Sequence, residues 1–255
     1  MSDATAATRA LRLLRELARA AGPLPAATLA QRLGMPRSSA YHLLAAMREE
    51  GFVVHYPEDG RWGLGVSVFE VGAAYVRHEP LERLGRPVLH RLVQQVGDIT
   101  PSIAHLGVLH GRETVYLVRE STAAPVTAVV EVGVRLPASL TASGRSMLAH
   151  LPASQVRALF PDRAAFVDRT GSGPTSAAAL RRLLAVEREC GWASEDGFVV
   201  EGYASVAAAA LDRERRPAAS VGLTFRAERV DEDARSRLAA LVVDAAATLT
   251  RRLGA

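Results

Sequence analysis

The sequence predicts an α+β protein in two parts. An N-terminal winged helix-turn-helix leads through a linker helix into a larger antiparallel-sheet domain with helices packed on it. Three observations carry this prediction. Residues 30–62, AQRLGMPRSSAYHLLAAMREEGFVVHYPEDGRW, set two short apolar-periodic segments around a Gly-Met-Pro corner and follow them at once with a hairpin. Beyond residue 100 the apolar pattern alternates as in strands, turns helical, and then alternates again, as in an antiparallel sheet with packed helices. A chain of 255 residues, 49% hydrophobic and 23% charged, is globular and long enough for two cores.

The elements follow in order. Residues 8–21 read as a helix with Leu11, Leu14, Leu17, Ala18 and Ala21 on one stripe and Thr8 as its N-cap, stopped by Gly22-Pro23. Residues 26–33 form the second helix. Ala30 is small where the next helix must cross closely, Gly34 supplies the positive φ of the corner, and Pro36 pre-sets the following helix start. Residues 37–50 form the third helix, with Ala40, Leu43 and Leu44 facing back and Gly51 at the C′ position. FVVHY and RWGLG, joined by PEDG, make the wing.

Residues 66–77 carry Val66, Phe69, Ala73 and Val76 at helical spacing, the pattern of a linker helix and dimer contact. Another helical stretch runs to Val96, with a kink or break expected at Arg86 because Pro87 follows. Strands are expected at 103–109, 114–120, 126–132, 203–211 and 218–226, and helices at 142–151, 153–160, 175–190 and 231–253. The loop RTGSGPTS at 169–176 is expected to be mobile. The predicted organisation is thus 1–65 for DNA binding, 66–80 as linker, and 81–255 as a second, larger domain.

Composition excludes several chemistries. The 31 basic residues are all arginine, so a P-loop, a pyridoxal Schiff base and lysine-attached biotin or lipoate are ruled out. No apolar run approaches the ~20 residues of a membrane helix. The first residues lack a signal-peptide core, which places the expected compartment in the cytoplasm. Cys190, the single cysteine, cannot form an internal disulfide and is expected as a small buried residue on a helix. The histidines show no metal-ligand spacing and no dinucleotide fingerprint is present, so no metal and no cofactor are expected. No G-x-S-x-G elbow or H-E-x-x-H pair points to hydrolysis.

Net charge is +4, yet residues 17–48 hold Arg19, Arg32, Arg37 and Arg48 and no acid, concentrating positive charge where a helix would approach phosphates. The DNA-contacting set read from the third helix and wing is Arg37, Ser38, Ser39, Tyr41, His42 and Arg61. A helix N-terminus attracts phosphate, and Arg37 can bind guanine in a bidentate manner. Competing readings are a capping role for Ser38 or Ser39, internal packing for Tyr41, and plain solvation for Arg48 and Arg61.

Three segments together resemble the IclR family of bacterial transcription regulators across nearly the whole chain. They are LAQRLGMPRSSAYHLLAAMREEGFV, RLPASLTASGRSMLA, and GWASEDGF followed by ASVAAAALDRERRPAASVGLTF. The resemblance implies a GAF-like ligand sensor in the second domain and a homo-oligomer, dimer or tetramer, on a double-stranded DNA operator. Ala142, Ser143 and Gly144 open a helix whose N–H groups suit a ligand oxygen. Asp196 and Ser205 match family positions near the ligand, and Gly222 and Thr224 share one face of a strand. These seven are the expected effector-binding residues. His105 either joins them or is a satisfied core histidine. Where relatives often have Ser and an Arg-Cys pair, this chain has Gly222 and Ala204-Ser205. The departures imply a less polar site and an organic acid or aromatic metabolite larger than glyoxylate. Two other classes stay open: an enzyme with an appended DNA-binding domain, and a constitutive DNA binder without effector. The size of the second domain and its small-residue motif speak against the latter.

Overall fold

The computed structural model describes residues 6–78, 80–123 and 130–254, the side chains of residues 73–80 excepted. The chain forms two compact units, Met1–Glu79 and Pro80–Ala255, so the helix read as a linker belongs with the first.

In the first unit, α1 (Ala6–Arg19), α2 (Ala26–Arg32) and α3 (Arg37–Glu49) pack against a small antiparallel sheet, and α4 (Val66–His78) follows it. The sheet has the order β1 (Leu24–Pro25), β3 (Arg61–Leu64), β2 (Val53–Tyr56). Gly34 turns the α2–α3 corner at φ 62°, and the Met35 N–H donates to the Ala30 carbonyl at 3.0 Å. Ala30, Met35 and Ala40 pack together there, small residues permitting the close crossing. Pro36 is the N-cap residue of α3, with no side-chain cap, so neither Ser38 nor Ser39 caps the helix. Gly51 closes it at φ 73°. The core gathers Leu13, Leu17, Leu29, Leu44, Met47, Val53 and Trp62.

Two expectations for α1 are corrected. The helix begins at Ala6, so Thr8 lies inside it rather than capping it. Leu13 is buried while Leu11 is 61% exposed. Leu-rich stretches allow more than one helical stripe, and the docking surface selects which one is buried. The two-residue β1, with its proline, carried no strand pattern and was not foreseen.

The second unit is a six-stranded antiparallel sheet in the order β6 (Arg135–Pro137), β5 (Glu113–Ser121), β4 (Ser102–His110), β9 (Pro217–Arg226), β8 (Tyr203–Leu211), β7 (Ala193–Asp196). Period-two alternation assigns its faces. Ala104, Leu106, Ala204, Val206, Ala208, Val221 and Leu223 meet α5 (Pro80–Val96) and α9 (Glu232–Arg252), which contribute Leu89, Leu92, Leu238, Val242 and Leu249. The opposite residues, including Ile103, His105, Ser205, Ala207, Gly222 and Thr224, belong to the other face, where α6 (Ala142–Leu148) crosses the sheet. A register shift pairs Leu106 with Val118 but Gly107 with Tyr116, leaving Leu117 unmatched. This bulge puts Tyr116 on the α6 side while Val118 stays in the core below. Beyond α6 lie α7 (Ala153–Leu159) and α8 (Ala177–Cys190), with a core of Leu148, Val156, Phe160, Leu180 and Leu184.

Several sequence expectations fail here. Of the strand expected at 126–132, residues 126–129 lie outside the described residues and 130–132 are not strand; the pairing strand is β6, after a turn at Gly133 with φ 81°. Of the kink or break expected at Arg86, the break is absent: helix α5 continues across Pro87. The loop at 169–176 is tied down rather than loose: the Thr170 hydroxyl donates to the Gly197 carbonyl at 2.7 Å, and the Gly171 N–H to Asp168 Oδ1 at 2.8 Å. Cys190 ends α8 exposed, not buried. Among the described residues no helix is long and apolar enough to cross a membrane.

Gly144 lies directly over the Ala138 backbone, where an added Cβ would overlap main-chain atoms. Helix propensity alone favours alanine over glycine by about 1 kcal/mol. Gly144→Ala is nevertheless expected to destabilise the second unit by about 1–3 kcal/mol, because the backbone must move. Chemical denaturation decides the sign.

Candidate functional site

On α3, Arg37, Ser38, Tyr41 and His42 form one exposed face at the N-terminal half of the helix, with Ser39 half-buried at its edge. Tyr41 is outside, not packed within. Arg37 has no partner among the described residues, so its guanidinium is available. Arg61 on the wing is exposed, and its Nη1 donates to the Pro23 carbonyl at 3.3 Å. The acid-free window is less cationic in space than in sequence. Glu16 of α1 pairs with both Arg19 (3.3 Å) and Arg32 (3.5 Å). On α4, Val66, Phe69 and Val71 are exposed, Phe69 by 75%.

The second unit holds a cavity of ≈ 30 Å³, partly open, between α6 and the sheet. Of the seven expected residues, Ala142, Ser143, Ser205 and Thr224 line it. Three do not. The Asp196 side chain is 52% exposed and pairs with Arg235 at 2.8 Å. Strand alternation makes Glu195 the inward residue, in register with Ser205. Gly222 lies beneath the His105 ring, which an added Cβ would strike. Gly144 packs on Ala138, and its N–H is taken by Thr141 Oγ1, the true N-cap of α6, at 3.0 Å. Glu195, Thr141, Tyr116 and Tyr203 complete the polar wall unforeseen. Glu195 and the hydroxyls give the wall its polar groups, and Gly222 adds none.

These polar groups form a continuous chain. Ser205 Oγ donates to Glu195 Oε1 at 2.8 Å and lies 3.0 Å from Thr224 Oγ1. Thr224 Oγ1 is 3.1 Å from His105 Nε2, and His105 Nδ1 is 3.4 Å from Ser143 Oγ. Tyr116 hydrogen-bonds Ser143 in turn. Glu195 Oε2 accepts the Phe198 N–H at 3.0 Å. His105 is thus a satisfied buried histidine that also joins two cavity residues. Burial pushes it down to about 3, so the imidazole is neutral. Burial raises Glu195, against the lowering effect of its Ser205 and Phe198 hydrogen bonds and of Arg145.

Arg145 of α6 anchors the wall and is 0% exposed. Its Nε donates to Glu187 Oε1 of α8 at 2.7 Å, its Nη1 to the Ser139 and Leu140 carbonyls, and its Nη2 to the Ser194 carbonyl of β7. The guanidinium also stacks over Phe198. Among the described residues no group of three or more His, Cys, Asp or Glu could hold a metal.

A helix-turn-helix with a wing in one unit, and a cavity with a few fixed polar groups in the other, define a DNA-binding transcriptional regulator with an effector-binding domain. Residues 6–57 match the IclR helix-turn-helix domain and residues 73–251 the bacterial transcriptional regulator IclR C-terminal domain. The chain belongs to the IclR family of bacterial transcriptional regulators. It is 32% identical to a glycerol operon regulatory protein of Streptomyces coelicolor, covering 97% of this chain and 95% of that protein. To the transcriptional repressor IclR of Escherichia coli it is 29% identical, covering 97% and 89%. An IclR regulator structure from Alicyclobacillus acidocaldarius superposes with TM-score 0.85 at 21% identity, covering 98% of each chain. An IclR homologue from Microbacterium hydrocarbonoxydans complexed with 4-hydroxybenzoate does so with TM-score 0.81 at 22% identity, covering 98% and 99%.

Arg145→Met leaves Glu187 buried without its cation and is expected to cost about 3–5 kcal/mol. Adding Glu187→Met should recover much of that loss, measured by denaturation in a double-mutant cycle. In the unfolded chain His105 takes a proton below pH ~6.5, whereas the folded protein resists until about 3. His105 therefore contributes stability above pH 6.5 that is lost as pH falls toward 3. The raised Glu187 and Glu195 act with the opposite sign, gaining as pH falls. His105→Gln is expected to flatten the acid loss between pH 6.5 and 4 in stability–pH curves.

Proposed function

We propose that the protein binds a pseudo-palindromic double-stranded DNA operator as a dimer or tetramer and responds to a small organic metabolite held in the second unit. The observation that carries the DNA half is the exposed, unpaired Arg37 beside Ser38, Tyr41 and His42 on α3. The helix N-terminus supports a phosphate contact, and Arg37 reads a base edge. Arg61 adds a backbone contact from the wing. Val66 and Phe69, one turn apart on α4 and exposed, leave an apolar patch that a second copy would cover. A dimer sets its recognition helices about one turn of DNA, ~34 Å, apart or a multiple of that. Such a protein works in the cytoplasm, with its operator.

The cavity bounded by Ser143, Glu195, Ser205 and Thr224 is the effector site in this reading. It combines apolar walls with a few fixed polar groups, as small-molecule sites do. The Ser143–His105 pair does not favour an enzyme. An imidazole held near 3 is a poor general base at neutral pH, and its other nitrogen is engaged by Thr224.

Two variants test the two halves in one operator-binding assay. Arg37→Ala is expected to weaken operator affinity and relax sequence preference at one position, a base contact of this kind being worth about 1–3 kcal/mol. An unchanged footprint and affinity would remove Arg37 from the reading surface. Ser143→Leu should retain operator binding and lose the response to effector; a normal response would move the effector site elsewhere.

A further inference from the structure

A second concave site lies apart from this cavity, between α7 and α8. It is a groove of ≈ 210 Å³. That exceeds the ~150 Å³ that takes up benzene in an apolar protein interior. Helical spacing builds it. Val156 and Phe160, four residues apart on α7 and its C-cap, and Leu180 and Leu184, four apart on α8, form an apolar floor. Ala153 and Ala185 line it as well, where larger side chains would fill the space. Phe160 is held against Phe166, with 5.2 Å between ring centroids, which fixes the floor's one aromatic ring.

The charge around the groove is of one sign. Arg157, Arg181 and Arg188 line it, and among the described lining residues none is an acid. Arg157 and Arg181 have neither an ion pair nor a side-chain hydrogen bond among the described residues. Arg188 spends its Nε on the carbonyl of Ala149, the C-cap of α6, which orients the guanidinium and leaves its two Nη groups to face a ligand. The acids of α8 do not neutralise these cations: Glu187 is buried against Arg145, and Glu189 is not among the lining residues. Burial, and after it the nearby Arg188 and Arg215, push His150 below its ordinary value, so the cationic field reaches the turn after α6. Arginines meant only for solvent need no concave floor, and a nucleic-acid backbone has no use for an apolar one. Apolar walls with guanidiniums at the edge fit a molecule with an apolar body and an anionic head.

We infer that the α7–α8 groove is a second small-molecule site, and that it takes an amphipathic carboxylate with an aryl or short acyl body. The body lies on Val156, Phe160, Leu180 and Leu184, where it leaves water for apolar contact. The carboxylate accepts charge-assisted hydrogen bonds from the guanidiniums at the edge. This site shares no lining residue with the cavity of Ser143 and Glu195, and the inference stands whether or not that cavity holds the effector.

The probe is 4-phenylbutyrate, with 4-phenylbutan-1-ol as its neutral match, titrated by calorimetry into the full-length protein at neutral pH. Ser143→Leu serves as the background, so that the cavity does not contribute. The expected result is saturable binding of the acid in that background, ten-fold or more tighter than the alcohol, and weakened by added salt. Adding Arg157→Gln and Arg181→Gln should cost ten-fold or more in affinity for the acid, and adding Ala185→Phe instead, which fills the groove, should abolish binding. These three positions are exposed, and retained operator binding checks that each variant folds. Should Ser143→Leu fold poorly, the arginine substitutions are made in the wild type, where they should remove one molecule of bound acid per chain. Absence of acid binding in the Ser143→Leu background would overturn the inference, as would an alcohol bound as tightly as the acid. Acid binding untouched by the arginine substitutions would overturn it too, and a changed sedimentation profile in that variant would make this face a contact between copies instead.

Discussion

The sensor unit is organised around one buried cation. The Arg145 guanidinium ties α6 to α8 through Glu187, to β7 through the Ser194 carbonyl, and to the turn before α6 through the Ser139 and Leu140 carbonyls. A guanidinium excluded from water is costly unless nearly every N–H finds an acceptor, so these partners cannot drift independently. Its fork fixes distance and orientation together, which a lysine ammonium would not. Ser143 lies two residues before Arg145 on α6, and Glu195 one residue after Ser194 on β7. Holding those two elements is therefore what places Ser143 and Glu195 in the cavity's polar chain.

The chain itself shows how buried polar groups define a site. Each member is satisfied by the next, from Tyr116 through Ser143, His105, Thr224 and Ser205 to Glu195. A satisfied network in low dielectric is rigid and directional, and an incomplete one would be destabilising. Gly222 belongs to this design although it touches no cavity. Its missing side chain is the room in which the His105 ring lies flat enough to reach both Thr224 and Ser143. Any ligand effect on DNA binding is bounded by the ligand's differential affinity for two states of the protein. The network joins α6 to β4, β7, β8 and β9.

The sequence revealed most of the helix-turn-helix because its signals are local. Gly34 at positive φ, Pro36 at a helix start, small Ala30 and Ala40 at the crossing and Gly51 at the helix end each follow from backbone geometry within a few residues. The wing was legible for the same reason, through alternation either side of PEDG. Legibility fell where a choice depended on distant packing. Leu11 and Leu13 are equally plausible core residues until a docking surface selects one. Pro87 is tolerated within α5, and the loop at 169–176 is held by carbonyls nearly thirty residues further along.

Side-chain phase explains the errors at the cavity. In SED at 194–196 the sequence offers two adjacent acids, and only the pairing of β7 with β8 turns Glu195 inward and sends Asp196 to Arg235. Tyr116 reaches the cavity because a bulge at Leu117 shifts the register, and no local pattern announces it. By itself the sequence determined the class of the fold, the third helix of the helix-turn-helix, the helix that bears Ser143, and the strands that bear Ser205 and Thr224. Tertiary structure alone decided which acid faces the cavity, which hydroxyls meet His105, and which charges cancel. Periodicity and turn chemistry act over a few residues, whereas the face of a strand and the partner of a buried charge depend on neighbours brought together from far along the chain.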